Sequence, residues 1–274
     1  MKKCRRPRSG RAAALALALA LALAAAGKAE PQGSDPAPPY RLPPSLAAGL
    51  DALRDAMYMS EAPESVEAEA GRLAAALRAA ALPEAERALA LARAEYCAAR
   101  SWKEADGKAK AIPHYEEAIA QARAALAAGE TAARLIALMK PLSELCLLKD
   151  MAFLVTNGPK VGQYARRALA LEPGYPAALI AIAASKAYPP AIFGGNPKEA
   201  LAEMEALLAA RADNSARGNG AVLAKDELFD LRMCAGTACE KLGRKAEAAA
   251  WFRQALELYP GNAYAREQLK KVAP

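Results

Sequence analysis

LFDLRMCAGTACEKLGRKAEAAAWFRQALELYPGN, residues Leu228 to Asn262, decides the fold class of this chain. Gly236 stands inside a helical run, where glycine costs stability unless something must come close to the backbone. A turn follows at Leu242-Gly243. The second run places Ala248, Phe252 and Ala255 at i, i+4 and i+7, one face of a helix, and Pro260 ends it. A small–large–small face opposite a small residue is what two helices need to pack tightly as a hairpin. The spacing therefore predicts a helix hairpin with Phe252 seated on Gly236.

Weaker copies of the second-helix pattern recur upstream. Val161, Ala165, Ala168 and Pro173 hold the same offsets in VGQYARRALALEPGYP, and Ala200, Met204 and Leu207 hold them in KEALAEMEALLAARADN. Ala118, Ala122 and Ala125 do so in YEEAIAQARAALAAGE. Helical periodicity fills nearly the whole chain after residue 44, and no segment alternates with period two. Helices are expected near 45–60, 64–82, 84–104, 112–128, 131–157, 160–171, 176–188, 197–210, 225–242, 244–259 and 263–272. Pro83, Pro113 and Pro197 sit where a first turn would begin, Pro141 should kink its helix, and the last helix should cap the array. Alanine-rich composition with only 5% aromatic residues suits closely stacked helices.

The Leu228–Asn262 stretch resembles the tetratricopeptide repeat (TPR). Gly236, Ala248, Phe252, Ala255 and Pro260 match that signature, while Cys239 replaces its usual helix-A tyrosine. The resemblance implies an all-α fold, a short right-handed α-solenoid of TPR-like helix hairpins over residues 45–274. It also implies binding through a concave face lined by the first helix of each hairpin. By register that face would include Ile180, Ala184 and Tyr188, then Met233, Thr237 and Lys241.

Between two of these hairpin helices lies KAYPPAIFGGNPKEA, Lys186 to Ala200, about five residues longer than the repeat requires. Pro189 and Pro190 stop one helix, and Asn196-Pro197-Lys198-Glu199 starts the next as N-cap, N1 and N3. Ile192 and Phe193 have no local explanation. Exposing them would forgo about 1.5–3 kcal/mol of burial each. They are expected to pack on their own array or to contact a partner or ligand, with Lys186 and Tyr188 reaching the groove. The connector is also similar to that of exported bacterial TPR proteins. Among these is the periplasmic component associated with tripartite ATP-independent (TRAP) transporters, whose early helices KAIPHYEEAIAQARAAL also resembles. That likeness implies docking to a solute-binding protein and a hydrophobic cavity. It also implies a lipid-anchored cysteine after the signal, whereas the cleavage sites here lack cysteine.

Residues 1–29 read as a secretory signal peptide: six basic residues up to Arg11, an apolar run from Ala12 to Ala26, then small residues. The run is shorter than the ~20 residues of a membrane span. Membrane attachment is thus expected only if the signal stays uncleaved. Residues 30–44 are a Pro-rich linker. The expected location is periplasmic or secreted. The chain carries 37 basic and 30 acidic residues. Seven of the basic residues and none of the acids lie in residues 1–29, so the remainder balances at 30 against 30. No nucleic-acid partner is expected from such a balance.

Cys97, Cys146, Cys234 and Cys239 would remain after export, as two disulfides or as four small buried hydrophobes. No metal-ligand spacing, phosphate-binding loop, nucleophile elbow or dinucleotide motif is present, and no enzyme activity, cofactor or metal is expected. His114, the only histidine, reads as a partly exposed helix residue. In LCLLKDMAFLV, Lys149 and Asp150 interrupt an apolar run, as a polar stripe facing solvent or as part of a groove lining. Two functions remain open. One is a scaffold that binds a protein partner in its concave groove, the TRAP-type solute-binding protein among the candidates. The other is a carrier of a small hydrophobic ligand held inside the helical stack.

Overall fold

A computed structural model of the chain describes residues 42–191, 194–216 and 223–273. It is all-α, with no strand among the described residues. The helices are α1 (Pro44–Tyr58), α2 (Pro63–Ala79), α3 (Glu84–Glu104), α4 (Lys108–Ala127), α5 (Ala132–Leu148) and α6 (Met151–Leu171), followed by α7 (Pro176–Ala187), α8 (Pro197–Ala216), α9 (Lys225–Lys241), α10 (Lys245–Leu258) and α11 (Ala263–Val272).

Local chemistry sets the helix starts. Pro44, Pro63, Pro176 and Pro197 each open a helix, where a missing N–H costs nothing. Elsewhere side chains accept from the first turn: Thr131 from the Arg134 amide, Asp150 from Phe153 at 2.8 Å, Asn262 from Ala265 at 2.8 Å. Asn196 accepts from the Glu199 amide and donates to its carboxylate, as the connector sequence predicts. Gly243 ends α9 in the left-handed region at φ 75°, the usual glycine stop.

Each odd-numbered helix from α1 to α9 packs on the even-numbered helix that follows it, giving five hairpins. The odd-numbered helices also contact one another in sequence order, α1 with α3, α3 with α5, α5 with α7 and α7 with α9. An open solenoid would leave α1 and α9 at opposite ends. Here α1 packs on α9, and the five inner helices form a closed ring.

The last hairpin is built as its sequence implies. Gly236 is buried against the Phe252 ring, and an added Cβ would come closer than 3.0 Å to three ring carbons. Ala248 and Ala255 are fully buried beside Phe252, and Pro260 follows the helix at the surface. No side chain larger than hydrogen fits at 236 without moving the ring.

The seam that closes the ring is chemically different. Tyr58 of α1 stacks on Tyr259 with centroids 4.9 Å apart, and Phe229 of α9 meets both edge-on. The Tyr259 hydroxyl donates to Asp55 at 2.8 Å and the Tyr58 hydroxyl to Asp230 at 2.9 Å. Buried Asn262 donates to the Tyr58 carbonyl at 2.7 Å while capping α11. The final helix therefore belongs to the closure; it does not cap a free end.

Three sequence expectations change. The helix expected over 131–157 is two helices, split at Lys149-Asp150, because Asp150 caps a new start at Met151 and competes with continuation of α5. The segment from 160 onward is the second half of that new helix, with Pro159 inside it. Pro113 does not begin α4, which starts earlier at Lys108 after Gly107. Ile192 and Phe193 lie outside the described residues. The four cysteines are buried and none is bonded to another; burial pushes the Cys97 and Cys234 thiols up to about 12.

Candidate functional site

Two adjoining, partly open clefts of about 280 and about 670 Å³ lie between the inner helices. The smaller is lined by α1, by the middle of α3 and by the N-terminal parts of α5 and α9, with Tyr175 and Ala177 where α7 begins. The larger is lined by the C-terminal part of α3, by α5, α7 and α9, by the middle of α6 and by α11. The two share Tyr96, Lys140, Ala177 and Glu227, one residue from each of α3, α5, α7 and α9. These four residues form a neck at the centre of the ring.

The walls of the larger cleft are apolar, with Met139, Val161, Ile180 and Met233 from four helices. Small residues on α6 and α7, among them Gly162, Ala165, Ala181 and Ala184, leave the space. The floor near the neck is charged. Arg100 donates to Glu104 at 2.9 Å, and its guanidinium lies 4.7 Å from the Tyr58 ring centre. Lys103 pairs with Glu144 across α3 and α5. Burial opposes ionisation of Glu144, but Lys103 and Arg100 overcome it and hold the carboxyl below its ordinary value. Asp230 behaves in the opposite way. Burial pushes it up, and Lys140 at 4.0 Å with Arg100 offsets this only in part.

Ile180, Ala184, Tyr188 and Met233 line the larger cleft. Thr237 is buried one turn beyond and donates to the Met233 carbonyl. Lys241 lies outside the cleft and ties the α7 end by donating to the carbonyls of Tyr188 and Pro189. Lys186 also points away from the cleft and pairs with Glu199 and Glu203 of α8. Lys149 pairs with Glu116 of α4 and Asp150 caps α6, so neither lines the clefts; both serve the split between α5 and α6.

Sequence reasoning missed the charged floor. Its signal was present: Tyr96, Arg100 and Lys103 at i, i+4 and i+7 on α3, Lys140 and Glu144 at i, i+4 on α5, and Glu227 and Asp230 at i, i+3 on α9. Charge on the same helix face as apolar lining marks an interior polar surface. His114 is a partly exposed helix residue, as expected, and it also bridges three helices. Its ring nitrogens lie 2.7 Å from Glu95 of α3 and 3.2 Å from Glu67 of α2, and Glu67 also accepts from Trp102. The hydrogen bond to Glu95 raises the His114 pKa against the opposing effect of burial.

No protein-family model and no curated protein matches the chain. Among the described residues, no helix is long and apolar enough to cross a membrane.

Proposed function

We propose that this chain is an exported, non-catalytic, TPR-like helical protein that holds a small amphipathic molecule at the centre of its ring. One observation carries this reading: α1 meets α9, so the concave face of the array becomes a cleft of about 670 Å³ ringed by helices and open to solvent. That volume lies within the ~300–1,000 Å³ typical of small-molecule sites. Apolar walls with a few charges at one end suit a ligand that has an apolar body and a polar head. The test uses the apolar fluorescent probe N-phenyl-1-naphthylamine with the protein lacking residues 1–29. Ala184→Trp should fill the cleft and abolish probe binding while the helical circular dichroism is retained. Probe binding equal to that of the unsubstituted protein would overturn the assignment.

A protein partner remains the second reading, moved from the groove to the outside. Met151 and Val155, one turn apart on α6, are 58% and 59% exposed. Adjacent large apolar residues on a surface mark contact sites. By the resemblance to the TRAP-associated component, the partner would be an exported solute-binding protein. Met151→Glu with Val155→Glu should then lose co-purification of that partner without loss of probe binding.

A further inference from the structure

We propose that the central cleft selects a cationic amphiphile, an aliphatic amine or quaternary ammonium whose apolar tail lies along the inner helices. This rests on the reading of the cleft as a ligand site. Apart from Asp106, which has a partner of its own, the lining of the larger cleft holds five carboxylates against four cations. Three of the cations are taken: Arg100 by Glu104, Lys103 by Glu144, and Lys271 by Glu267 at 3.3 Å. Lys140 lies 4.0 Å from Asp230 without a hydrogen bond from its ammonium, and it is the cation of the lining that both clefts share. Glu227 lies one turn before Asp230 on α9 and lines both clefts. Lys140 is thus the cation common to the two carboxyl groups, with Arg211 adding to Glu227 and Arg100 to Asp230.

A second observation comes from the smaller cleft. Asp226, adjacent to Glu227, is 8% exposed, and its Oδ1 forms a long ion pair with Arg54 Nε at 3.4 Å that leaves both atoms without a hydrogen bond. A buried carboxylate oxygen without a donor is costly. Burial also pushes both Glu227 and Asp230 above the ordinary carboxylate range, since the cations near them compensate only in part. The lining of the larger cleft carries more carboxylates than cations. An alkylammonium head would add a positive charge there, and the rings of Tyr96, Tyr188 and Tyr264 on the lining are suited to such a head. The tail would run past Met139, Val161 and Met233.

The experiment compares three decyl compounds by calorimetry on the protein lacking residues 1–29: decyltrimethylammonium, 1-decanol and decanoate. The cation should bind at least tenfold more tightly than the other two. Glu227→Gln keeps an acceptor for the Ala224 amide that Glu227 now caps. It should weaken the cation about tenfold and leave 1-decanol unchanged, which also serves as the folding control. Decanoate or 1-decanol binding as tightly as the cation would leave the cleft as a ligand site and overturn the charge class. Unchanged cation affinity in Glu227→Gln would overturn it as well. If none of the three binds, the cleft assignment itself falls, and this proposal with it.

Discussion

The last hairpin and the seam lie side by side and share helix α9, yet different physics holds each. Between α9 and α10 the contact is steric: a phenyl ring occupies the space left by a missing side chain at Gly236. Between α1 and the C-terminal helices it is directional, with stacked tyrosines, a buried asparagine and paired carboxylates. The contrast follows from chain connectivity. A short turn brings hairpin helices together, and they need only close packing. The seam joins residues some 200 positions apart, and fixing such a contact carries a larger loop-closure cost. Aromatic stacking and buried hydrogen bonds fix its register as well as its strength.

The largest effect should come from the steric side. Gly236→Leu drives both Cβ and the branched chain into Phe252, and should cost about 3 kcal/mol. In a domain of this size that lowers the melting temperature by roughly 6–12 °C. A melt within 1 °C of the parent would remove the jigsaw account of the hairpin. Gly71 provides the control, because nothing lies within 4 Å of an added Cβ; Gly71→Ala should leave stability the same or raise it by up to about 1 kcal/mol.

On the directional side, Asn262→Ala removes both the α11 cap and the bond to the Tyr58 carbonyl. It should cost about 2 kcal/mol. Amide exchange should speed up selectively in α1 and α11, while α9–α10 stays protected. Uniform acceleration across the ring would mean that the seam is not a separate unit. Tyr259→Phe removes only the hydrogen bond to Asp55 and keeps the stack, so a smaller loss of about 1 kcal/mol is expected.

The smallest effect is conditional on pH and concerns the bridge between the first two hairpins. The folded His114 pKa is raised above its ordinary 6.5, so its stabilisation is fully present below that value and is lost as pH rises through the folded pKa. Glu67 is held below its ordinary 4.5, chiefly by the hydrogen bond from His114, so its share is present above 4.5 and is lost in acid. The bridge is thus complete between about pH 4.5 and 6.5. His114→Ala should lower the melting temperature by about 2–4 °C at pH 5.5 and by less at pH 8.5. An equal loss at both values would show that packing, not charge, is what His114 supplies.

The same division explains what the sequence discloses. Helix type and hairpin pairing are local, and Gly236, Phe252 and the Asn196 cap announce them within a few residues. Four of the inner-face positions, Ile180, Ala184, Tyr188 and Met233, follow from periodicity because they continue a helical register. Thr237 and Lys241 follow the same register but fall past the cleft, where α9 runs on toward its end. The break at Lys149-Asp150 is hidden because apolar residues flank it on both sides, and only the capping bond from Asp150 resolves it. Ring closure is not legible at all, since nothing near Asp55 or Tyr58 points to Tyr259 or Asn262. The charged floor shows on each helix as charge beside apolar lining, but Arg100, Lys140 and Asp230 stand on three different helices, and only the ring brings them together.

Closure also sets an arithmetic on the chain's evolution. An open helical array can gain or lose a hairpin at its ends or by internal duplication, since each unit touches only its neighbours. This ring cannot. One more hairpin would part Tyr58 from Tyr259, and one fewer would bring their helices into collision. Its repeat number is quantised at five, and sequence change is channelled into residue substitution and connector length, such as the long link between α7 and α8.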